Sequence, residues 1–142
     1  MKSLDPRIFA GTCLCLAVRT AARAVSRRFD AAFEGLGINN GQFTILMFTS
    51  AERPMTIGIL ADALAMDRTT LTAALKPMVR DKLVVLRANP GDARSRVIRI
   101  TDRGRALLEK TVPLWQETQS ALTRSAAIKN PDKIRQALRA MI

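Results

Sequence analysis

Residues 55–104 constrain the fold more than any other part of the chain. Two short helical patterns lie close together in this stretch, and only Ala65, Met66 and Asp67 join them. Two short runs of apolar, β-branched residues follow, and a turn containing Asn, Pro, Gly and Asp separates these runs. The spacing predicts two helices joined by a tight turn, with a β-hairpin directly after them.

The second of these helices is predicted to have a buried and an exposed side. Asp67 is a good N-cap, because its carboxylate can accept the free N–H groups of Thr69 and Thr70. The predicted buried face consists of Leu71, Leu75, Met78 and Val79. The opposite side carries Thr69, Thr72, Ala73, Lys76 and Arg80, with Arg68 at its N-terminal edge. Hydroxyls and cations without a carboxylate suit base edges and phosphates, and they also suit an ordinary solvated face.

The predicted hairpin is strongly basic. Its strands are expected over residues 83–86 and 97–100, and residues 89–92 supply the turn. Arginines stand at positions 87, 94, 96 and 99. Residues 68–105 hold ten Lys or Arg against three Asp, a net +7 of the chain's +11. Basic charge gathered on one helix and one hairpin indicates a duplex-binding winged helix-turn-helix.

The flanking segments are predicted to be long helices. One continuous helix is expected from about residue 7 to residue 36, and Asn39 or Asn40 should begin another that buries Phe43, Leu46, Met47 and Ser50. Thr101 should cap a long helix bent at Pro113, and Asn130 should begin a short last helix. We therefore expect a mainly α chain with a small β-hairpin. Within residues 1–142 it would have a DNA-binding lobe over residues 53–100 and a helical dimerisation lobe over residues 6–36 and 102–142.

Composition argues against an enzyme. The chain has no histidine and no tyrosine, which removes most schemes of acid–base catalysis. Zinc would have only Cys13, Cys15 and carboxylates at no recognised spacing, so we expect no metal and no cofactor. There is neither a run of eighteen apolar residues nor a leader pattern, which favours a cytoplasmic protein without a membrane segment.

The chain resembles the MarR family of bacterial transcriptional regulators from about residue 14 to residue 122. The resemblance rests on residues 67–71 (DRTTL), 75–77 (LKP), 92–96 (DARSR) and 100–104 (ITDRG) in this order. It implies a homodimer on a palindromic operator. It departs at Ala73 and Ala93, where relatives often carry a basic residue.

The DNA contacts expected on this basis come from the second helix and the hairpin. They are Arg68, Thr69, Thr70, Thr72, Lys76, Arg94 and Arg96. We expect Arg94 to enter the minor groove and Arg68 or Lys76 to reach a guanine edge in the major groove.

An effector would, by the same resemblance, bind between the dimer helices and the winged lobe. Six apolar side chains are available there, although each also fits an ordinary core: Phe29, Phe33, Phe43, Met47, Leu108 and Trp115. The effector itself would be a small apolar or phenolic molecule.

Cys15 falls where the family's organic-peroxide sensors carry their reactive cysteine. Those sensors hold the thiolate with tyrosine hydroxyls, whereas this chain has Phe29 and Asn40 at the matching positions. On one intact helix Cys13 and Cys15 would point about 200° apart, so they could not easily form a bridge. We expect slow oxidation and favour a small buried core residue.

Three hypotheses of function remain. The first is a sequence-specific regulator, in this family most often a repressor, that an effector releases from its operator. The second is a regulator that senses oxidants through Cys15. The third is a basic protein that binds nucleic acid without sequence preference.

Overall fold

A computed structural model of the chain describes residues 5–125 and 128–142, together with the backbone but not the side chain at position 93. The helices are α1 (Pro6–Thr12), α2 (Leu14–Phe33), α3 (Asn40–Thr49), α4 (Ile57–Ala63), α5 (Arg68–Arg80), α6 (Asp102–Thr123) and α7 (Pro131–Arg139). The strands are β1 (Met55–Thr56), β2 (Val84–Asn89) and β3 (Asp92–Ile100), and residues 34–36 form a 3₁₀ turn. The predicted fold, mainly α with a small β-hairpin in a winged helix-turn-helix, is confirmed.

The sheet is larger than predicted. Its three antiparallel strands lie in the order β1-β3-β2. The two hairpin strands are longer than expected. Asn89 pairs with Asp92, so only two residues separate the strands. The sequence pattern does not indicate β1, in which Met55 pairs with Ile98. This strand fastens the segment before α4 to the centre of the hairpin.

The two helices of the DNA-reading unit end in the same way. Ala65 after α4 and Lys82 after α5 both adopt left-handed backbone conformations, with φ of 49° and 58°. The closing bonds run from Met66 N to Ala61 O (2.9 Å) and from Leu83 N to Met78 O (2.8 Å). This arrangement satisfies carbonyl groups at each helix end and fixes the direction in which the chain leaves.

The core joins the DNA-reading unit to the flanking helices. Its fully buried side chains include Phe33, Leu46, Leu60, Leu71, Leu75 and Met78. Val79 and Met47, which the helical pattern places on buried faces, are exposed at 37% and 44%. In α3, Ile45 and Thr49 are buried in place of Met47 and the half-buried Ser50, so the inward face of that helix lies one residue away from the predicted one.

The predicted continuous helix over residues 7–36 is wrong, because the chain breaks at Cys13. This residue has φ −75° and ψ 104°, and it caps α2 through its sulfur, which accepts a bond from Leu16 N at 3.4 Å. The segments Pro6–Thr12 and Leu14–Leu36 make an angle of 68°. Gly11, Thr12 and Cys13 are three consecutive poor helix formers, which explains why the helix breaks here.

No single helix of the described residues is both long enough and apolar enough to span a membrane. Only the bent pair formed by α1 with the following helical segment meets the criterion, by length and composition alone.

A tight junction connects α5, β2 and α6. Thr101 caps α6 by accepting a bond from Gly104 N at 3.0 Å, as predicted. Its hydroxyl lies 2.6 Å from Lys82 O and 3.1 Å from Leu83 O, and its own N–H donates to Leu83 O at 3.1 Å. Gly104 lies so close to this carbonyl that a Cβ atom built on it would be 2.1 Å from Leu83 O. The first turn of α6 therefore lies directly on the backbone that leaves α5.

Candidate nucleic-acid interface

The start of α5 is fixed by Asp67, as the sequence predicted. Its carboxylate accepts bonds from Thr70 N at 2.7 Å and from Thr70 Oγ1 at 2.5 Å. The Thr70 hydroxyl, followed by the Thr70 backbone N–H, lowers the pKa of the Asp67 carboxyl below its ordinary value. Because the hydroxyl proton of Thr70 is engaged in this cap, Thr70 can meet DNA only as an acceptor while the cap persists.

The exposed side of α5 forms an open groove of about 300 Å³. Its lining consists of Arg68, Thr69, Thr72, Ala73 and Lys76. The Thr72 hydroxyl donates to Arg68 O at 2.7 Å, which leaves its lone pairs for a partner. Five predicted exposed positions thus share one surface that carries two cations, two hydroxyls and no carboxylate.

The wing tip is held by its own side chains. Asn89 accepts from Gly91 N at 3.1 Å and donates to Ser95 Oγ at 2.8 Å. Asp92 accepts from Arg94 N at 2.9 Å. These bonds fix the backbone around Arg94, while its side chain stays exposed. Asn89, predicted only as a turn residue, thus also holds the wing tip.

The wing is basic on both faces. Arg96 is exposed and lies directly opposite Ala88, on the face that carries Ile98 nearer the core. Arg87 and Arg99 are exposed on the other face. The hairpin therefore presents cations on two faces. Of these cations, only Arg94 and Arg96 were expected to contact DNA.

The six predicted effector residues separate into two groups. Phe43 and Met47 on α3 and Trp115 on α6 line a groove of about 360 Å³, together with Thr44, Val112 and Gln116. The rings of Phe43 and Trp115 are stacked with centroids 6.2 Å apart. The other three, Phe29, Phe33 and Leu108, are buried in the core. Phe33 supports the groove from behind, because its ring centroid lies 5.2 Å from that of Phe43.

The cysteines lie at the break between α1 and α2. Cys15 is exposed and Cys13 is partly buried. The expectation that Cys15 is a buried core residue is therefore wrong for this chain. The expectation that one intact helix keeps the two thiols apart is also wrong, since the helix breaks at Cys13.

The chain is similar in sequence and in structure to known regulators of transcription. Residues 36–95 match the model of the MarR family. The transcriptional regulator MosR of M. tuberculosis, solved in complex with DNA, is 36% identical. The match covers 91% of this chain and 92% of that one, with a TM-score of 0.82.

Two curated regulators of Bacillus subtilis (strain 168) are also similar. The organic hydroperoxide resistance transcriptional regulator is 27% identical over 101 residues, which are 71% of this chain and 69% of that protein. The transcriptional repressor YetL is 28% identical over 102 residues, which are 70% of this chain and 61% of that protein.

The capped helix, its cation- and hydroxyl-lined face and the basic hairpin define a winged-helix DNA-binding regulator of transcription. The chain belongs to the MarR family, as its sequence indicated. This family is not enzymatic, which agrees with the absence of histidine and tyrosine from the sequence.

Proposed function

We propose that the chain is a homodimeric repressor that binds a palindromic operator in the cytoplasm. In each protomer α5 lies in the major groove, and the wing tip with Arg94 and Arg96 enters the minor groove. The observation that carries this proposal is the groove on α5, where Arg68, Thr69 and Lys76 share one surface. The repressor YetL supports the direction of regulation.

Exposed apolar side chains at both ends of the chain support the dimer. Ile8 and Leu14 near the N-terminus are 57% and 61% exposed, and Met141 and Ile142 at the other end are 57% and 91% exposed. Such residues rarely stay in water when they occur together. We therefore assign residues 6–36 and 102–142 to dimerisation and residues 53–100 to DNA binding. A two-fold axis through the dimer explains a palindromic site.

Selection of bound sequences from random duplex DNA tests this proposal. The expected result is one palindromic motif, bound by two chains as counted by mass photometry. If bound sequences share no motif and excess competitor DNA removes all binding, the chain instead coats nucleic acid without preference. A folded monomer at micromolar concentration would contradict the dimer.

We further propose that an apolar or phenolic effector occupies the groove between α3 and α6. The stacked Phe43 and Trp115 supply an aromatic wall, and Gln116 supplies a polar group for a hydroxyl. Trp115 is the single tryptophan, so its fluorescence reports occupancy directly. Titration with 2-naphthol should change this fluorescence and release operator DNA. Met47→Lys, at an exposed position in the groove, should abolish both effects, and an unchanged response would exclude this groove.

A second candidate is an oxidant-sensing regulator that uses Cys15. It is favoured by the exposure of Cys15 and by the helix break at Cys13, and the hydroperoxide regulator of Bacillus subtilis supports it. The thiolate of Cys15 would attack the peroxide, breaking the O–O bond to give sulfenic acid and an alcohol. The Cys13 thiol would then displace water from the sulfenic acid to form a disulfide.

Treatment with stoichiometric tert-butyl hydroperoxide distinguishes the effector-responsive regulator from the oxidant sensor. If Cys15 is the sensor, the oxidant releases DNA from the wild type but not from Cys15→Ser. If only the effector acts, both proteins keep their DNA and both still respond to 2-naphthol. Cys13→Ser tests the second step, since it should stop the reaction at sulfenic acid.

A further inference from the structure

Gly58 and Arg68 make a close contact between the two helices of the DNA-reading unit. Gly58 lies in the first turn of α4, and Arg68 is the first residue of α5. A Cβ atom built on Gly58 would lie 3.1 Å from Arg68 Nη2, 3.5 Å from Cζ and 3.6 Å from Nε. Three guanidinium atoms at such similar distances show that the group lies across the position where a side chain would start. Any residue larger than glycine would therefore press on the guanidinium.

The guanidinium of Arg68 lies against Gly58 and uses none of its donors within the described part of the chain. Within residues 5–125 and 128–142 it makes no ion pair, and the hydrogen bond to Arg68 in this region goes to its backbone carbonyl. A guanidinium carries five N–H donors in a rigid fork that suits an oxyanion such as phosphate. Its hydrogen-bonding capacity therefore remains for a partner, and its observed neighbour is Gly58.

Glycine at position 58 is costly for the helix itself. In a helix interior glycine is less favourable than alanine, although the difference is smaller in a first turn. Gly58 is half-buried, and the three nearest atoms that an added Cβ would meet all belong to this one side chain. The glycine is therefore explained by the space that Arg68 needs and not by a backbone requirement of α4. A glycine inside a predicted helix is the sequence signal that could have revealed it.

We propose that Gly58 is a positioning residue, and that it holds the Arg68 guanidinium where it binds a DNA phosphate and not a guanine. The inference rests on the proposed placement of α5 in the major groove. In a helix-turn-helix the first helix crosses the DNA backbone, whereas the second helix reads base edges. A guanidinium that packs on the first turn of α4 would lie farther from the bases and nearer to the phosphates. This assignment replaces the expected contact of Arg68 with a guanine edge.

Graded variants at position 58 test the positioning role. We expect Gly58→Ala to weaken operator binding about 3-fold, because the guanidinium must move by a few tenths of an ångström and hydrogen bonds depend steeply on geometry. Gly58→Leu should weaken it about as much as Arg68→Ala, roughly 10-fold for each half-site. Both Gly58 variants should keep or raise the melting temperature, because they favour the helix. Gly35→Ala is the matched control, since no atom lies within 4 Å of its added Cβ.

The phosphate assignment has its own readout, which does not depend on the Gly58 variants. Arg68→Ala should lower affinity for operator and random duplex by the same factor, and it should reduce the salt slope by about 0.9 for each phosphate that is no longer neutralised. In the double variant Gly58→Leu/Arg68→Ala, affinity should fall by the same factor as in Arg68→Ala alone.

Different failures point to different errors. If Arg68→Ala weakens binding but Gly58→Leu does not, the positioning role of Gly58 is refuted. If Arg68→Ala abolishes the preference for the operator, Arg68 reads a base and the phosphate assignment is wrong. If neither Arg68→Ala nor Lys76→Ala weakens binding, the placement of α5 in the major groove fails, and with it the proposed function.

Discussion

Gly104→Ala should destabilise the chain strongly although it adds only one methyl group. The new Cβ would lie 2.1 Å from Leu83 O and 2.9 Å from Ile100 Cγ1. The nearest atom is a backbone oxygen, which cannot rotate away as the end of a side chain can. Either the first turn of α6 or the backbone at Leu83 must therefore move by about 1 Å to restore an ordinary van der Waals distance.

The cost of this movement follows from the bonds at the junction. The Thr101 N–H donates to the Leu83 carbonyl and the Thr101 hydroxyl donates to the Lys82 carbonyl, and both bonds would be strained. Losing two such bonds costs about 1 kcal/mol each, and overpacking adds about 1–3 kcal/mol. The better helix propensity of alanine returns up to about 1 kcal/mol. We expect a net loss of about 3 kcal/mol in the free energy of unfolding, or roughly 10 °C in melting temperature.

Urea unfolding followed by circular dichroism at one fixed protein concentration measures this loss. Gly35→Ala serves as the control, because its added Cβ meets nothing within 4 Å, and it should stay within about 0.5 kcal/mol of the wild type. A Gly104→Ala protein as stable as this control would refute the reasoning. It would mean that α6 and β2 can separate at no cost.

Three further predictions concern the DNA-reading unit. Ala65→Gly should raise the free energy of unfolding by about 0.5 kcal/mol, because residue 65 has φ 49° and glycine adopts that conformation without steric cost. The cap at Asp67 should lose its stabilising effect as the pH falls below about 4, since the folded state lowers the pKa of this carboxyl. Urea unfolding midpoints between pH 6 and pH 3 measure this loss of stability. Asp67→Asn should remove the part of the pH dependence that comes from this carboxyl. Arg94→Ala should weaken binding to all duplexes and lower the slope of log affinity against log salt concentration by about 1. Lys76→Ala should reduce the binding free energy by about 1–3 kcal/mol on the operator and by less on random DNA.

Each of these predictions can fail separately. A lower stability of Ala65→Gly would show that unfolded-state entropy outweighs the backbone strain at that turn. If Asp67→Asn keeps the full pH dependence, other carboxylates are responsible for it. If Arg94→Ala changes the ratio of operator affinity to random-duplex affinity and Lys76→Ala does not, the wing recognises the base sequence and α5 contacts only phosphates.

Local features of the DNA-reading unit could be predicted because nearby residues determine them. The caps at Asp67 and Thr101 form as expected, because each side chain bonds to a backbone N–H three positions later. The inward Leu71 and Leu75 follow from helical period alone. These features require no knowledge of distant parts of the chain.

Features that depend on distant contacts could not be predicted in this way. β1 has two residues and exists because β3 pairs with it, so no strand pattern marks it. The contact between Gly58 and Arg68 joins two helices, so the glycine within the helical pattern could indicate a close approach but not its partner. The break at Cys13 had a local cause in three weak helix formers, but the apolar pattern on both sides concealed it. Val79 is apolar and at a helical spacing from Leu75, yet its position lies past the edge of the core.

The bonds that hold the wing tip have a consequence for the shape of DNA that the protein accepts. Asn89 and Asp92 fix the backbone on both sides of the turn before any DNA arrives. A preordered tip loses little conformational entropy on binding, but it also cannot reshape itself to fit its target. In the proposed complex, Arg94 would therefore favour a narrow, A·T-rich minor groove, whose negative potential attracts arginine. Base pairs beside the operator would then influence affinity through groove width, without any contact to their edges.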